Sequence, residues 1–144
     1  MAANPQHAPL SGLARALVQA GHLKEAEAEA MLAHADESRG SFIEQVVGAR
    51  HMTSREIAAF AAETFGYPLL DLAAFDDANI PATAIDRKLI GTHKVVPLHK
   101  RGNRLTIATA DPTNLRAQDE IRFQTSLHVD MVVVEEPKLL PLVN

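Results

Sequence analysis

The first part of the chain carries apolar residues at helical spacing. Leu10, Leu13, Leu17 and Val18 follow the i, i+3, i+7, i+8 pattern of one buried helix face. Gly21 is expected to end this helix, because glycine adopts the left-handed cap conformation at little cost. The pattern therefore predicts a first helix that begins near Leu10.

Three more helices are predicted before the chain reaches residue 66. The second covers about residues 24–37 and is rich in Ala and Glu, and the third follows a Ser/Gly break at residues 38–41. Thr53 and Glu56 have the S/T-x-x-E form of a capping box, which predicts where the fourth helix begins. Gly66 is expected to end it.

After Gly66 the apolar pattern becomes that of strands. Two β-runs, at residues 95–98 and 105–108, flank a turn that contains Gly102, and this arrangement predicts a β-hairpin. A β-branched run at residues 128–134 predicts a further strand. Short helices are predicted to begin at Pro81, at Asp111 to Asn114, and at Glu135 to Pro137.

These elements predict an α+β fold with two parts. Residues 10–66 are expected to form an N-terminal four-helix subdomain made of two helix-turn-helix repeats. Residues 67–144 are expected to form a small α/β subdomain with a β-hairpin and a three- to four-stranded sheet. Residues 1–9 show no apolar period and are predicted to be a flexible arm.

Composition excludes several classes of protein. The chain has 144 residues, 47% of them apolar, and it has no cysteine, which excludes a disulfide scaffold, a Cys-ligated zinc site and a thiol nucleophile. Its apolar runs are far shorter than the roughly 20 residues that span a bilayer, so we expect no membrane insertion. A net charge of −4 argues against a general nucleic-acid binder.

No constellation in the sequence supports an independent enzyme. The phosphate-cradling G-x-x-x-x-G-K-[ST] loop of ATPases is absent, and the seven histidines form no i, i+4 ligand pair, so neither metal nor cofactor is expected. Asp111 is interpreted as a helix cap rather than an acid or a metal ligand. The basic turn of Lys100, Arg101 and Arg104 is either a solvated hairpin tip or a site for an anionic partner.

The two predicted helix pairs align with each other at an offset of 29 residues. Leu13 aligns with Phe42, and Leu17 aligns with Val46. Any two amphipathic helical hairpins would align about this well, so the spacing alone leaves a true repeat and a chance match both open.

Four sequence runs resemble a known family. Residues 65–72, 88–98, 101–105 and 110–114 are similar to the N-terminal region of type IV pilus assembly ATPases and of the related type II secretion ATPases. The resemblance covers residues 10–144 and implies that the helical repeat corresponds to the nucleotide-binding MshEN module of that family. It also implies that the motor ATPase domain lies beyond residue 144 and is absent from this chain.

The repeat lacks most of the ligand motif that the resemblance implies. In c-di-GMP-binding members each repeat begins Arg-Leu-Gly, has Gly at its tenth position and ends in Gln. Only Leu13 and Gly21 keep the motif, and both Arg side chains are lost, so no specific c-di-GMP binding is expected. The ten corresponding positions are Gly12, Leu13, Ala14, Gly21 and Ala35 in the first repeat, and Ser41, Phe42, Ile43, Arg50 and Thr64 in the second.

The resemblance implies a regulatory and protein-docking domain on a hexameric motor that powers pilus extension. Its partner would be a PilZ-type adaptor protein or an inner-membrane platform component, at the cytoplasmic side of the pilus base; the alternative is a c-di-GMP sensor. We expect the partner surface to lie where the ligand groups are lost, with Phe42 and Ile43 as the best candidates, although all of these residues could instead fill the core. The proposed surface comprises Leu13, Leu17, Phe42, Ile43 and Val46.

Overall fold

The computed structural model describes residue 10 and residues 12–38, 40–75, 80–81 and 83–143. The predicted arm at residues 1–9 lies outside the described residues. The chain divides into two compact units, Met1–Thr53 and Ser54–Asn144. This division falls one helix before the expected boundary at Gly66, because the helix before Gly66 packs against a strand and a helix of the second unit.

The described residues of the first unit form three helices. They are α1 (Gly12–Gln19), α2 (Glu25–Ser38) and α3 (Phe42–Gly48), and α2 packs against both of the others. The Ser41 hydroxyl caps α3 by accepting a hydrogen bond from the Glu44 N–H at 3.0 Å. His51 Nε2 lies 3.2 Å from Glu27 Oε2 within this unit.

The backbone supports a true internal repeat. Gly21 has φ of +85°, and Arg50, which lies 29 residues later, has φ of +61°. The hydrogen bonds around these residues also correspond: His22 N–H bonds the Leu17 carbonyl, and His51 N–H bonds the Val46 carbonyl. Such six-residue bonds beside a left-handed residue are typical of the Schellman motif. The end of α1 and the end of α3 therefore share one conformation.

The second unit is built from helices around a three-stranded sheet. Helix α4 begins at Ser54, directly after Thr53, as the capping-box pattern predicts. The elements are α4 (Ser54–Phe65), a 3-10 helix (Leu72–Ala74), α5 (Arg87–His93), β1 (Val96–Arg101), β2 (Arg104–Thr109), α6 (Leu115–Thr125), β3 (His128–Val133) and α7 (Glu136–Val143).

The sheet order is β1-β2-β3, with an antiparallel hairpin and a parallel pair. Parallel pairing of β2 with β3 requires a crossover, which α6 supplies. Beyond β3, Leu69 makes a single parallel bridge to Val133, where two backbone hydrogen bonds join residues 68–70 to Val133. The possible fourth strand is therefore limited to one bridge. The α+β prediction is confirmed.

Apolar residues from both strands and helices fill the core beside α5 and α6. Half-buried side chains, including Tyr67, Leu89 and Leu127, pack at its edge. The buried members are Ile85, Ile90, Val95, Leu105, Ile107, Ile121, Val129 and Met131.

Two predicted helix starts are wrong. Helix α5 begins at Arg87 with Asp86 as its cap, rather than near Pro81. Helix α6 begins at Leu115 with Asn114 as its cap, because the Asp111 carboxylate instead accepts a hydrogen bond from the Thr113 N–H in the preceding turn.

Candidate docking site

The surface predicted on α1 and α3 is mostly core. Phe42 alone among its five residues is half-buried, at the first position of α3. The other four face the interior, because they occupy the apolar stripe of each helix, so they do not offer a docking surface. Their exposed fractions are 2% for Leu13, 0% for Leu17, 6% for Ile43 and 0% for Val46.

The ten positions of the ligand motif are spread between core and surface. Leu13, Ala14, Ala35 and Ile43 are buried, whereas Gly21, Arg50 and Thr64 are exposed. Gly12 and Ser41, the two positions at which the resemblance leads us to expect Arg, are both half-buried. The Ser41 hydroxyl already accepts a hydrogen bond as a helix cap. Neither Gly12 nor Ser41 therefore supplies a guanidinium group at the start of its repeat.

A more exposed apolar surface lies on α6 in the second unit. Phe123 is 91% exposed and Leu115 is 57% exposed. Ala117 and Ile121 on the same helix are buried. Phe123 is 200° around the helix from Ile121, since each residue turns the helix by 100°. Phe123 is not among the site residues expected from the sequence, although its angle to Ile121 signals that the two side chains face opposite sides of the helix.

Phe123 borders a groove of about 510 Å³ between α5 and α6. Leu89 of α5 and Phe123 of α6 provide its apolar surface. Asp86, Asp119 and Glu120 place three carboxyl groups around them. Gln124 completes the lining. The groove thus combines an apolar surface with an acidic rim.

Two hydrogen bonds hold α5 and α6 together at this groove. His93 Nε2 lies 2.7 Å from Glu120 Oε2, and the imidazole is only 8% exposed. Gln124 Oε1 accepts a hydrogen bond from the Asp86 N–H at 3.1 Å. The bond from His93, together with Arg116, lowers the pKa of Glu120 below its ordinary value of 4.5. Glu120 is therefore negatively charged at neutral pH.

The cap of α6 fixes the tautomer of His93. Asn114 Oδ1 accepts a hydrogen bond from the Ala117 N–H, so the amide nitrogen of Asn114 must face His93 Nδ1, at 3.4 Å. An amide nitrogen only donates, so Nδ1 must be the acceptor. In this arrangement Nε2–H donates to Glu120 Oε2 at 2.7 Å.

A second polar cluster joins α4, the 3-10 helix and α7. Lys138 Nζ lies 3.0 Å from Asp71 and 2.8 Å from Glu135, and the Ser54 hydroxyl donates to Glu135 at 3.1 Å. The ammonium group lowers the pKa of both carboxyl groups, and they in turn raise the pKa of Lys138. This cluster is structural, because each of its charges already has a partner.

The basic turn is partly neutralised. Arg104 makes two hydrogen bonds to Asp130, at 3.2 and 3.1 Å, while Lys100 and Arg101 are exposed. Among the described residues, no three His, Asp or Glu side chains could hold a metal ion. No helix within the same residues is long and apolar enough to cross a membrane.

Comparison with known proteins gives matches in both sequence and fold. Residues 65–144 match the MshEN domain family. The type IV pilus assembly ATPase PilB of Pseudomonas aeruginosa is 37% identical to this chain over 130 residues, which cover 90% of the chain. The PilB of Acinetobacter baylyi is 35% identical over 134 residues, which cover 93% of the chain. The chain spans about a quarter (23%) of the length of each relative.

Two solved structures share the fold. A structure of MshE with cdg has a TM-score of 0.65 at 20% identity, with 93% of this chain and 97% of that chain covered. The N-terminal domain of XpsE has a TM-score of 0.67 at 20% identity, with 94% and 96% covered. At this identity the two structures establish the fold alone.

Proposed function

Because this chain belongs to the MshEN domain family, we propose that it is the regulatory and protein-docking N-terminal domain of a hexameric ATPase that powers type IV pilus extension. Its partner would be a PilZ-type adaptor protein, or a component of the pilus platform in the inner membrane. The domain would act in the cytoplasm at the base of the pilus.

The observation that carries this proposal is the retained fold with altered ligand positions. The chain shares the fold of MshE over 93% of its length. Yet Gly12 and Ser41 replace both Arg residues of the motif, and the buried Ile43 replaces a Gly. Charge-assisted hydrogen bonds contribute about 1.5–3 kcal/mol each, so losing several of them removes useful affinity for a phosphate ligand. A domain that keeps this fold but lacks the arginines of the ligand motif suits a protein partner better than a nucleotide.

ATP hydrolysis would belong to other parts of the parent protein. The chain has no Gly-Lys pair with which to cradle phosphates. The PilB relatives are about four times as long as this chain, which leaves room for a motor domain. The role assigned to this chain is therefore control of the motor, through contacts that its partner makes or breaks.

A c-di-GMP sensor is the second candidate, because the MshE structure of the same fold contains cdg. Two measurements on the purified 144-residue chain separate the two functions. Size-exclusion chromatography with a purified PilZ-type adaptor should show a complex, and calorimetry with c-di-GMP should show no saturable site. A saturable low-micromolar nucleotide site together with separate elution of the adaptor would refute the docking proposal in favour of the sensor.

A further inference from the structure

We propose that the α5–α6 groove binds a protein segment that presents an arginine or lysine beside an apolar side chain. The groove is the space bordered by Leu89 and Phe123, with Asp86, Asp119 and Glu120 at its rim. This inference rests on the proposed docking function, and it names the surface and the chemistry of the partner.

Phe123 supplies the apolar contact surface of the groove. An exposed fraction of 91% means that its ring contributes almost nothing to the folded core. An aromatic side chain buries about 150–250 Å² when it is covered, and aromatic residues are enriched among the residues that dominate binding energy. Leu89 lies across the groove and is half-buried, so an incoming aliphatic side chain would contact apolar atoms on both sides.

The carboxyl groups at the rim favour a cationic partner. Three carboxyl groups line the groove, and no lysine or arginine is among its lining residues in the described part of the chain. Arg116 bonds Glu120 at 3.2 Å but is itself 84% exposed, and Arg122 lies 3.9 Å from Asp119. These two arginines compensate the rim only partly. A cation in the groove would meet carboxylates and could also lie over the ring of Phe123.

The groove is held open before any partner arrives. The bonds from His93 to Glu120 and from the Asp86 N–H to Gln124 fix α5 against α6. A preformed site loses less conformational entropy when it binds than a flexible one does. The bond from His93 also keeps Glu120 in place at the rim.

Short peptides test the chemistry directly. An acetylated, amidated Leu-Arg-Leu-Arg peptide and its Leu-Glu-Leu-Glu counterpart are titrated into the ¹⁵N-labelled chain. The basic peptide should shift amides of α5 and α6, and the acidic peptide should not. Equal shifts from both peptides, or shifts from the basic peptide only outside α5 and α6, would contradict the proposal.

Variants then test the partner interaction. Phe123→Ala should weaken binding of the PilZ-type adaptor by at least about tenfold, and Asp119→Lys should weaken it similarly. Leu115→Ala is the matched control, because Leu115 is exposed on the same helix but does not line the groove. It should change binding by less than about twofold, and both alanine variants should melt with the wild type, since surface substitutions rarely alter stability.

The outcomes separate this inference from the proposed function. If the adaptor binds the wild type and Phe123→Ala equally, the groove assignment is wrong and the docking function stands. If the adaptor does not bind the wild type while the basic peptide still shifts α5 and α6, the groove stands and the choice of partner fails. If neither the adaptor nor the peptide binds, both fail.

Discussion

Replacing Ile43 with Asp should unfold the first compact unit rather than remove a docking contact. Ile43 is 6% exposed. Deleting a buried Ile side chain to Ala costs about 2–5 kcal/mol, and an unpaired carboxylate at the same position adds a desolvation penalty. The total reaches a large part of the roughly 5–15 kcal/mol that stabilises an ordinary domain. The helices α1, α2 and α3 should therefore lose their cooperative structure.

Urea unfolding followed by circular dichroism, together with hydrogen exchange, measures this effect. In Ile43→Asp the amides of α1 to α3 should lose protection, while those of β1 to β3 keep it. Val47→Asp is the matched control on the same helix, since Val47 is only half-buried. It should lower the free energy of unfolding clearly less than Ile43→Asp does. If Ile43→Asp melts within about 2 °C of the wild type, the Ile43 side chain does not belong to the core of the first unit.

Three further predictions concern stability and are measured by urea unfolding. Gly21→Ala should lower the free energy of unfolding by about 1 kcal/mol, because alanine is strained at a φ of +85°. Arg50→Gly should raise it by about 0.5 kcal/mol, because glycine relieves the strain at a φ of +61°. Effects of the same sign and size would contradict the shared conformation of the two repeats. Asn114→Ala should cost about 1 kcal/mol through the lost cap of α6, and no change would contradict that cap. The two carboxylates bonded by Lys138 have pKa values held below their ordinary 3.8 and 4.5, so their stabilisation is present above those values and is lost as the pH falls through the lower folded-state values. In Lys138→Met the free energy of unfolding should therefore fall less steeply than in the wild type as the pH drops below about 4.5. An unchanged dependence of stability on pH would contradict this.

The local features of the fold could be predicted because they depend on neighbouring residues. The periodic apolar residues gave the helices, and Gly21 and Gly66 follow helix ends with positive φ as expected. The hairpin and the strand after α6 also follow from β-runs and a glycine turn. Each of these features is encoded within a few residues of sequence.

The features that the sequence did not reveal depend on tertiary contacts. The unit boundary lies at Thr53 because α4 packs with elements that come far later in the chain. The bond between His93 and Glu120 joins residues 27 apart. Phe123 carries an apolar side chain like Ile121, so composition alone does not tell which of them faces the core. The surface expected from the sequence on α1 and α3 consists largely of side chains that tertiary packing buries.

An NMR titration of the ¹⁵N-labelled chain with a purified PilZ-type adaptor tests the central claim, that this domain docks a protein through its second unit. Saturable shifts should cluster on α5 and α6 around Phe123, with the amides of α1 and α3 unchanged. Shifts confined to the starts of α1 and α3, near Gly12 and Ser41, would contradict it, as would a spectrum that the adaptor leaves unaltered.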